Sequence, residues 1–231
     1  VSHSSQTSGI GHEILDKDVE RVLEAARAIN IPPGRRILHT LSQSFEVNDR
    51  KGIQKPVGLS GNTLGVNVHL VTSSINVEKD IETCFNRLGI KIRGFVLEPL
   101  ASSYSVLDTN ERNLGTVLID IGGGTSDIII YHNNAILHTG AIPLGGESIT
   151  KDIAYALETS LEQAEKIKCK YGTAKSTLAS KEENIIIIGT NGREDKKISQ
   201  EELSIIIEAR MNEIFNLCLN EINKSDYKGN F

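Results

Sequence analysis

Long apolar runs, a surplus of basic residues and paired cysteines are all missing from this chain, and each absence removes a class of function. No stretch approaches the ~18 consecutive apolar residues of a membrane span, and no charged segment leads into an apolar one at the start. We expect neither a span nor a targeting segment within these residues. Lysine and arginine number 25 against 30 aspartate and glutamate, and the two signs are mixed along the chain. A nucleic-acid partner, which normally meets a basic face, is not expected. Cys84, Cys169 and Cys218 are odd in number, far apart and in no zinc-binding spacing. They read as core or surface thiols of a reducing cytosol. His39, His69 and His138 lie in strand-like runs without ligand spacing.

What is present is the composition of an ordinary globular chain: 231 residues, 39% hydrophobic and 24% charged. That length admits one large unit or two or three small ones. Val1 to Gly9 is polar and serine-rich, as in a disordered end or a solvated edge strand. The first residue is not methionine, which we take as a hint of sequence upstream.

Asp16 to Asn30 predicts a helix, with Asp16 as its cap and Val19, Val22, Leu23, Ala26 and Ile29 on one face. Ile37 to Val47 and Leu64 to Val71 predict strands, the second by strict alternation of Leu64, Val66, Val68 and Leu70 with Gly65, Asn67 and His69. A second helix is expected from Val77 to Leu88, capped by Asn76, with Val77, Ile81, Cys84, Phe85 and Leu88 facing inward. Lys91 to Leu97 reads as a short strand, followed by a small-residue helix from Leu100 to Leu107. Thr116 to Ile121 is nearly continuous apolar sequence and suits a strand buried on both faces. Ile128 to Tyr131 and Ala135 to Ile142 continue as a meander around the Asn133-Asn134 turn. Helices are expected from Ser148 to Leu157, from Ser160 to Tyr171, and from Ser199 to Ile222, the last two opening on capping boxes. Asn184 to Gly189 reads as a strand and Gly192 to Lys197 as a charged loop. The apolar face of the last helix, Leu203, Ile206, Ile207, Ile214 and Leu217, is expected to pack poorly for want of partners.

One segment carries chemistry. Asp120-Ile121-Gly122-Gly123-Gly124-Thr125-Ser126-Asp127 lies between two strand-like runs. Consecutive glycines can bring several N–H groups to an anion with no Cβ in the way, Thr125 adds a hydroxyl, and Asp120 is placed to hold a hydrated Mg²⁺ through its waters. Taken alone, the stretch is equally a glycine-rich hairpin with an acidic shoulder.

Its neighbours narrow the choice. Glu98-Pro-Leu-Ala-Ser102, the Asp120 to Asp127 turn, Ile142-Pro-Leu-Gly-Gly-Glu147 and Ala164-Glu-Lys-Ile-Lys-Cys-Lys-Tyr-Gly172 resemble the superfamily of actin, sugar kinases and DnaK-type chaperones. Arg36 to Leu41, Gly52 to Gly61, Val68 to Thr72, Leu97 to Ala101, Ile119 to Thr125 and Glu208 to Phe215 further resemble the FtsA family of bacterial cell-division proteins, over about residues 10 to 228.

The resemblance implies an α/β fold: an actin-like, ribonuclease H type ATPase domain, a mixed sheet with flanking helices, preceded by a small α+β insertion subdomain. The implied divisions are an SHS2-type insertion over 1–93, a phosphate-binding subdomain over 94–175, and the start of an adenine-side subdomain over 176–231. It implies ATP and Mg²⁺ as cofactors, with Asp120, Gly122, Gly123, Gly124 and Thr125 as the second phosphate motif and Gly145 and Gly146 as a further glycine turn. Glu98 matches a carboxylate that faces metal and attacking water, although by position it is also a helix cap before proline. Glu165 and Lys168 match residues that approach ribose and adenine, although their spacing also describes a surface ion pair.

The family's amino-terminal aspartate-glycine hairpin, its adenine-binding turn and its membrane-binding terminal helix have no counterpart here, so the resemblance implies an internal fragment, weak in ATP binding and hydrolysis by itself. For the parent it implies a weak ATPase at most, self-association into actin-like filaments, binding to FtsZ and to other division proteins through the insertion subdomain, and a place on the cytoplasmic face of the inner membrane at the division site. A pilus-assembly relative is the alternative, with chaperone or sugar kinase behind it.

Overall fold

The computed structural model describes residues 2–189 and 194–225. By its contacts the chain divides into two units, one holding Val1–Leu118 and Ile129–Thr139, the other Ile119–Ile128 and Gly140–Ser225.

The first unit is built on a sheet of β1 (Ser2–Glu13), β2 (Arg35–Val47), β3 (Arg50–Ile53) and β4 (Ser60–Ser74), in the order β1-β4-β2-β3 with antiparallel neighbours. The polar start of the chain is thus an edge strand, paired from Ser2 opposite His69 to Glu13 opposite Ser60. Alternation along β4 puts Leu64, Val66, Val68 and Leu70 on one face, where they are buried with Phe45 and Val47 of β2. Helix α1 (Asp16–Arg27) lays Val22 and Ala26 on this layer, with Val19 and Leu23 beside them. Its cap differs from expectation. Leu15 is the capping residue, and the buried carboxylate of Asp18, not Asp16, accepts from the Leu15 N–H at 3.0 Å. A carboxylate inside the first turn satisfies an otherwise orphaned donor and faces the positive end of the helix.

Helix α2 (Ile75–Arg87) continues directly from β4, with Ser74 rather than Asn76 at its cap. Arg36 on β2 donates to Glu78 at 2.6 Å and Ser73 also donates to Glu78, so the buried carboxylate is held below its ordinary range, chiefly by Arg36. The expected inward stripe is not buried: Val77, Ile81, Cys84, Phe85 and Leu88 are exposed, Leu88 to 74%. Helical period identifies residues that share a face, but not an element to cover it. Lys91 to Leu97 forms no strand. A strand needs a hydrogen-bonded neighbour, and here the Leu97 N–H donates to His39 Nε2 at 3.0 Å.

Helix α3 (Glu98–Val106) and the unanticipated α4 (Thr109–Leu114) follow. Asp108 caps α4 reciprocally with Glu111, each carboxylate accepting from the other's N–H at 2.8 Å. Strands β5 (Thr116–Ile121), β6 (Ser126–His132) and β7 (Ala135–Ile142) form a sheet in that order. Asn133 and Asn134 both have positive φ, the geometry of a two-residue hairpin. In the first unit, Leu100, Ile129, Tyr131 and Ile136 make a second small core.

The second unit adds α5 (Gly146–Leu157), α6 (Leu161–Tyr171), β8 (Asn184–Ile187), β9 (Lys196–Ser199) and α7 (Gln200–Asn223). Of the expected charged loop, residues 190–193 lie outside the described residues, while Lys196–Ser199 is a strand antiparallel to β8. Helix α7 does not pack poorly. Leu203 and Ile207 join Ile149, Ile153, Leu157, Ala164, Ile167, Ile185 and Ile187 in one buried core, and Ile214 is also buried. Arg210 clamps it to α5 with two bonds to Asp152, 2.6 and 2.8 Å, a bidentate geometry that fixes orientation as well as charge. The elements preceding α7 supply what the expected face requires apart from Leu217, at 36% exposure, while Ile205, Phe215 and Leu219 of the same helix are also exposed.

Truncating Leu64, which is fully buried beneath α1, to alanine is expected to cost about 2–5 kcal/mol, read as a fall in the urea midpoint. His69 adds a pH dependence. It is 4% exposed, bonded through Nε2 to Thr139 at 2.8 Å, and its Nδ1 has no partner. Burial, with a smaller push from His138, lowers its pKa to about 4. The unfolded chain takes up this proton near an ordinary pH of about 6.5 and the folded chain resists until far lower. Its contribution is therefore complete above about pH 6.5 and falls away as pH drops toward 4, by up to about 1.4 kcal/mol per pH unit. Urea melts of His69→Gln between pH 7 and 4.5 should be flatter than wild type; parallel curves would exclude this histidine as a source of acid sensitivity.

Candidate functional site

The glycine turn is held from three sides. Upstream, β5 delivers Asp120 to its edge; downstream, Ile128 to Tyr131 of β6 are buried and fix its exit. The Gly122 N–H donates to the Thr125 carbonyl at 2.9 Å, closing the turn, and the buried Ser126 hydroxyl donates to the Leu144 carbonyl at 2.8 Å. That last bond joins the first glycine turn to the second.

The two turns are then locked together by backbone alone. Gly146 N–H donates to the Gly122 carbonyl at 2.9 Å, and Glu147 N–H to the Gly123 carbonyl at 2.8 Å. Each peptide unit is planar and trans, so its C=O and the following N–H point in opposite directions. With the carbonyls of Gly122 and Gly123 turned toward the start of α5, the N–H groups of Gly123 and Gly124 point away from it, side by side. Two adjacent donors of this kind suit an anion.

The glycines serve different ends. A Cβ on Gly145 would come within 2.4 Å of the Gly122 carbonyl oxygen and 2.6 Å of that of Gly123, so Gly145 permits the close approach on which the lock depends. Gly122, Gly123 and Gly124 do not have left-handed φ. A Cβ on Gly124 would meet nothing within 4 Å. Nothing in the packing of the chain requires glycine there, whereas an anion approaching the backbone would. Gly122 through Thr125 are exposed, and Thr125 donates to Asp127 Oδ2 at 3.2 Å.

Glu165 and Lys168 are brought to the same place. Lys168 Nζ donates to the Gly146 carbonyl at 3.0 Å and Thr150 Oγ1 at 2.9 Å, and pairs with Glu165 Oε2 at 2.7 Å. They are indeed an ion pair on one face of α6, but one anchored to the first turn of α5. Gly146 links the whole group, its N–H bound to the first glycine turn and its C=O to Lys168. All three ammonium protons of Lys168 are engaged within the protein, which makes it a positioning group. Bonds from Lys168, Thr150 and Cys169 hold Glu165 down at a pKa of about 2; the carboxylate is half exposed, so solvent screens part of this effect. In turn Glu165 raises the Cys169 thiol.

Thr150, Ser126 and Glu147 were not singled out from sequence. Thr150 lies four residues after Gly146, with its hydroxyl oxygen 3.0 Å from that carbonyl, a spacing that is visible only once the helix start is known. Glu98 belongs to the first unit, as the exposed first residue of α3 and not its cap, which is Leu97.

Among the described residues no helix is long and apolar enough to cross a membrane, and no cluster of metal-ligating side chains occurs.

The family model "Cell division protein FtsA" matches residues 117–229, and "SHS2 domain inserted in FTSA" matches residues 1–72. The chain is 42% identical over 216 residues to the cell division protein FtsA of Pseudomonas aeruginosa, 40% over 215 to that of Neisseria meningitidis, and 38% over 210 to that of Escherichia coli. These matches cover 94, 93 and 91% of the chain, but the chain spans about half the length of these relatives: 52, 52 and 50%. Among solved structures, MreB5 of Spiroplasma citri bound to AMPPNP aligns with a TM-score of 0.54 at 19% identity, over 66% of this chain and 48% of that one. The PilM-PilN type IV pilus biogenesis complex aligns at 0.50 and 17%, over 74 and 47%. At that identity they show the fold, which is actin-like; the SHS2 domain at the start rests on the family model, and relatives near 40% identity do not favour the pilus-assembly, chaperone or kinase alternatives. On these grounds the chain belongs to the FtsA family of cell-division proteins.

Proposed function

We propose that this chain supplies one lobe of an ATP site in an FtsA-type, actin-like protein of bacterial division. The observation that carries the reading is the backbone lock between the two glycine turns, which aims the Gly123 and Gly124 N–H groups together and away from α5. In this reading these donors, with Thr125, meet the β- and γ-phosphates, and Asp120 holds Mg²⁺ through its waters, as suits an ion that dehydrates reluctantly. Gly145 and Gly146 keep the two turns in contact. Glu165, set by Lys168 and Thr150, faces the ribose and adenine side. Glu98 is assigned to the metal and the attacking water.

Phosphoryl transfer requires metal and donors on both sides of the γ-phosphoryl group. In this reading the full-length protein is at most a weak ATPase. The three-part division at 1–93, 94–175 and 176–231 belongs to the same reading. So do self-association into filaments, attachment of FtsZ filaments to the cytoplasmic face of the membrane, and recruitment of later division proteins through the insertion subdomain.

Two glycine variants test the site in the full-length protein. Gly124→Val should leave the melting temperature within about 2 °C, since its side chain meets open space, and should weaken Mg-ATP binding at least tenfold by calorimetry. Unchanged affinity in a folded Gly124→Val protein would remove the phosphate role. Gly145→Ala, whose Cβ would strike two carbonyls, should instead lower stability by about 1–3 kcal/mol and lose affinity together with it.

A further inference from the structure

A cavity of about 300 Å³ lies wholly within the first unit, lined chiefly by Thr40 and Ser42 of β2, Tyr104 of α3, Arg112 of α4, and Tyr131 and Asn134 of the β6–β7 hairpin. Its chemistry is that of a donor site without an acceptor. Arg112 sits over the ring of Tyr104, 5.3 Å from its centroid. Its Nε is buried with no hydrogen-bond partner, and among the described residues no carboxylate pairs with its guanidinium. Leaving such a donor unmet is unfavourable, more so for a charged group. The position is nonetheless fixed: the Asn134 N–H donates to the Arg112 carbonyl at 3.0 Å, fastening α4 to the hairpin, and Asp108 and Glu111 cap the helix reciprocally.

The rest of the lining favours an anion of low charge. Thr40 Oγ1 accepts from Arg27 Nε at 3.1 Å, which leaves its own proton to donate elsewhere. Ser42 is exposed and presents a second hydroxyl. Tyr131 is committed to Ser103 at 2.8 Å and acts as wall rather than donor. One guanidinium and two hydroxyls match a carboxylate, which two parallel N–H donors can grip; a phosphate dianion is usually met by several cations or a run of backbone N–H groups. Next to the cavity, Tyr104, Val106 and Leu114 of the same two helices are exposed at 68, 61 and 80%, apolar area that an isolated small acid would not use.

We propose that this cavity is a docking site for an acidic side chain of a partner polypeptide, the carboxylate engaging Arg112 and flanking apolar residues covering the α3 and α4 surface. A single residue has little contact area to offset the translational and rotational freedom lost on binding, so single-residue probes bind weakly, and a flanked sequence that also covers the apolar helix surface binds more tightly.

The test titrates the intact protein with acetyl-Glu-amide, acetyl-Gln-amide, inorganic phosphate, and a fluorescein-labelled heptapeptide carrying one central glutamate between leucines, following the Arg112 Nε–H resonance and peptide anisotropy. The glutamate probe should saturate and shift Arg112, the glutamine probe should bind at least tenfold more weakly, and the heptapeptide should bind at least tenfold more tightly than acetyl-Glu-amide. Arg112→Gln should abolish the preference for glutamate over glutamine. Tyr104→Leu, at an exposed position that leaves the fold intact, should weaken the heptapeptide at least fivefold. Equal binding of the two amides, tighter binding of phosphate than of the glutamate probe, or no saturation by any of them would each overturn the proposal.

Discussion

The contact on which the site depends is between two pairs of backbone atoms: the carbonyls of Gly122 and Gly123 and the N–H groups of Gly146 and Glu147. It decides the direction of the Gly123 and Gly124 N–H groups, because a planar peptide cannot turn its carbonyl one way without turning the next N–H the other. A side-chain contact can be remade by a rotamer change; this one cannot. It also uses the positive start of α5 on the turn itself rather than on a ligand. An anion would therefore meet the turn's own N–H groups, with the helix dipole acting one layer behind them.

The lock has its own support. Burial of Ile149 and Ile153 holds α5 in the core of the second unit, and α7 closes that core from the other side through Leu203, Ile207 and the Arg210–Asp152 clamp. Lys168 reaches from α6 to the Gly146 carbonyl, so α5 and α6 meet at one residue. A charged amine would be costly to hold at 19% exposure without partners, and it has three oxygen acceptors. Satisfying Lys168 and positioning Glu165 are thus the same arrangement, because the acid that neutralises the amine is the acid presented at the surface.

Much of this was legible in the residues. The alternation of β4, the spacing on α1 and the capping box at Ser199 are local signals, and local geometry determines what they mean; the box at Asp108 is equally local, but the Thr109–Leu114 segment it opens is too poor in apolar residues to show a helical period. The glycine turns were visible for the same reason. Long-range pairing was not. Val77, Ile81 and Phe85 share a face by period, but period is silent on what lies over that face, and nothing among the described residues does. The opposite holds at α7, where Leu203 and Ile207 do find partners, Ile149 and Ile185, but these lie far away in sequence. Within the site, the ion pair of Glu165 and Lys168 follows from i,i+3 spacing, while its attachment to Gly146 crosses 22 residues and has no sequence signature.

The Arg112 cavity extends this distinction to a residue that no motif marks. In sequence Arg112 is one cation in the Asn110-Glu111-Arg112-Asn113 stretch, with Glu111 adjacent to neutralise it. In the fold that neighbour is used elsewhere, since Glu111 turns back to cap its own helix at Asp108. The cap thereby leaves the guanidinium with an aromatic ring in place of a carboxylate. A ring offers a face to positive charge but no lone pair to an N–H, so the hydrogen-bonding demand of Arg112 persists after its charge is partly compensated. The nucleotide reading does not satisfy that demand, because none of the residues it uses lines the cavity. The two readings thus stand on separate residues, and either can fail without the other.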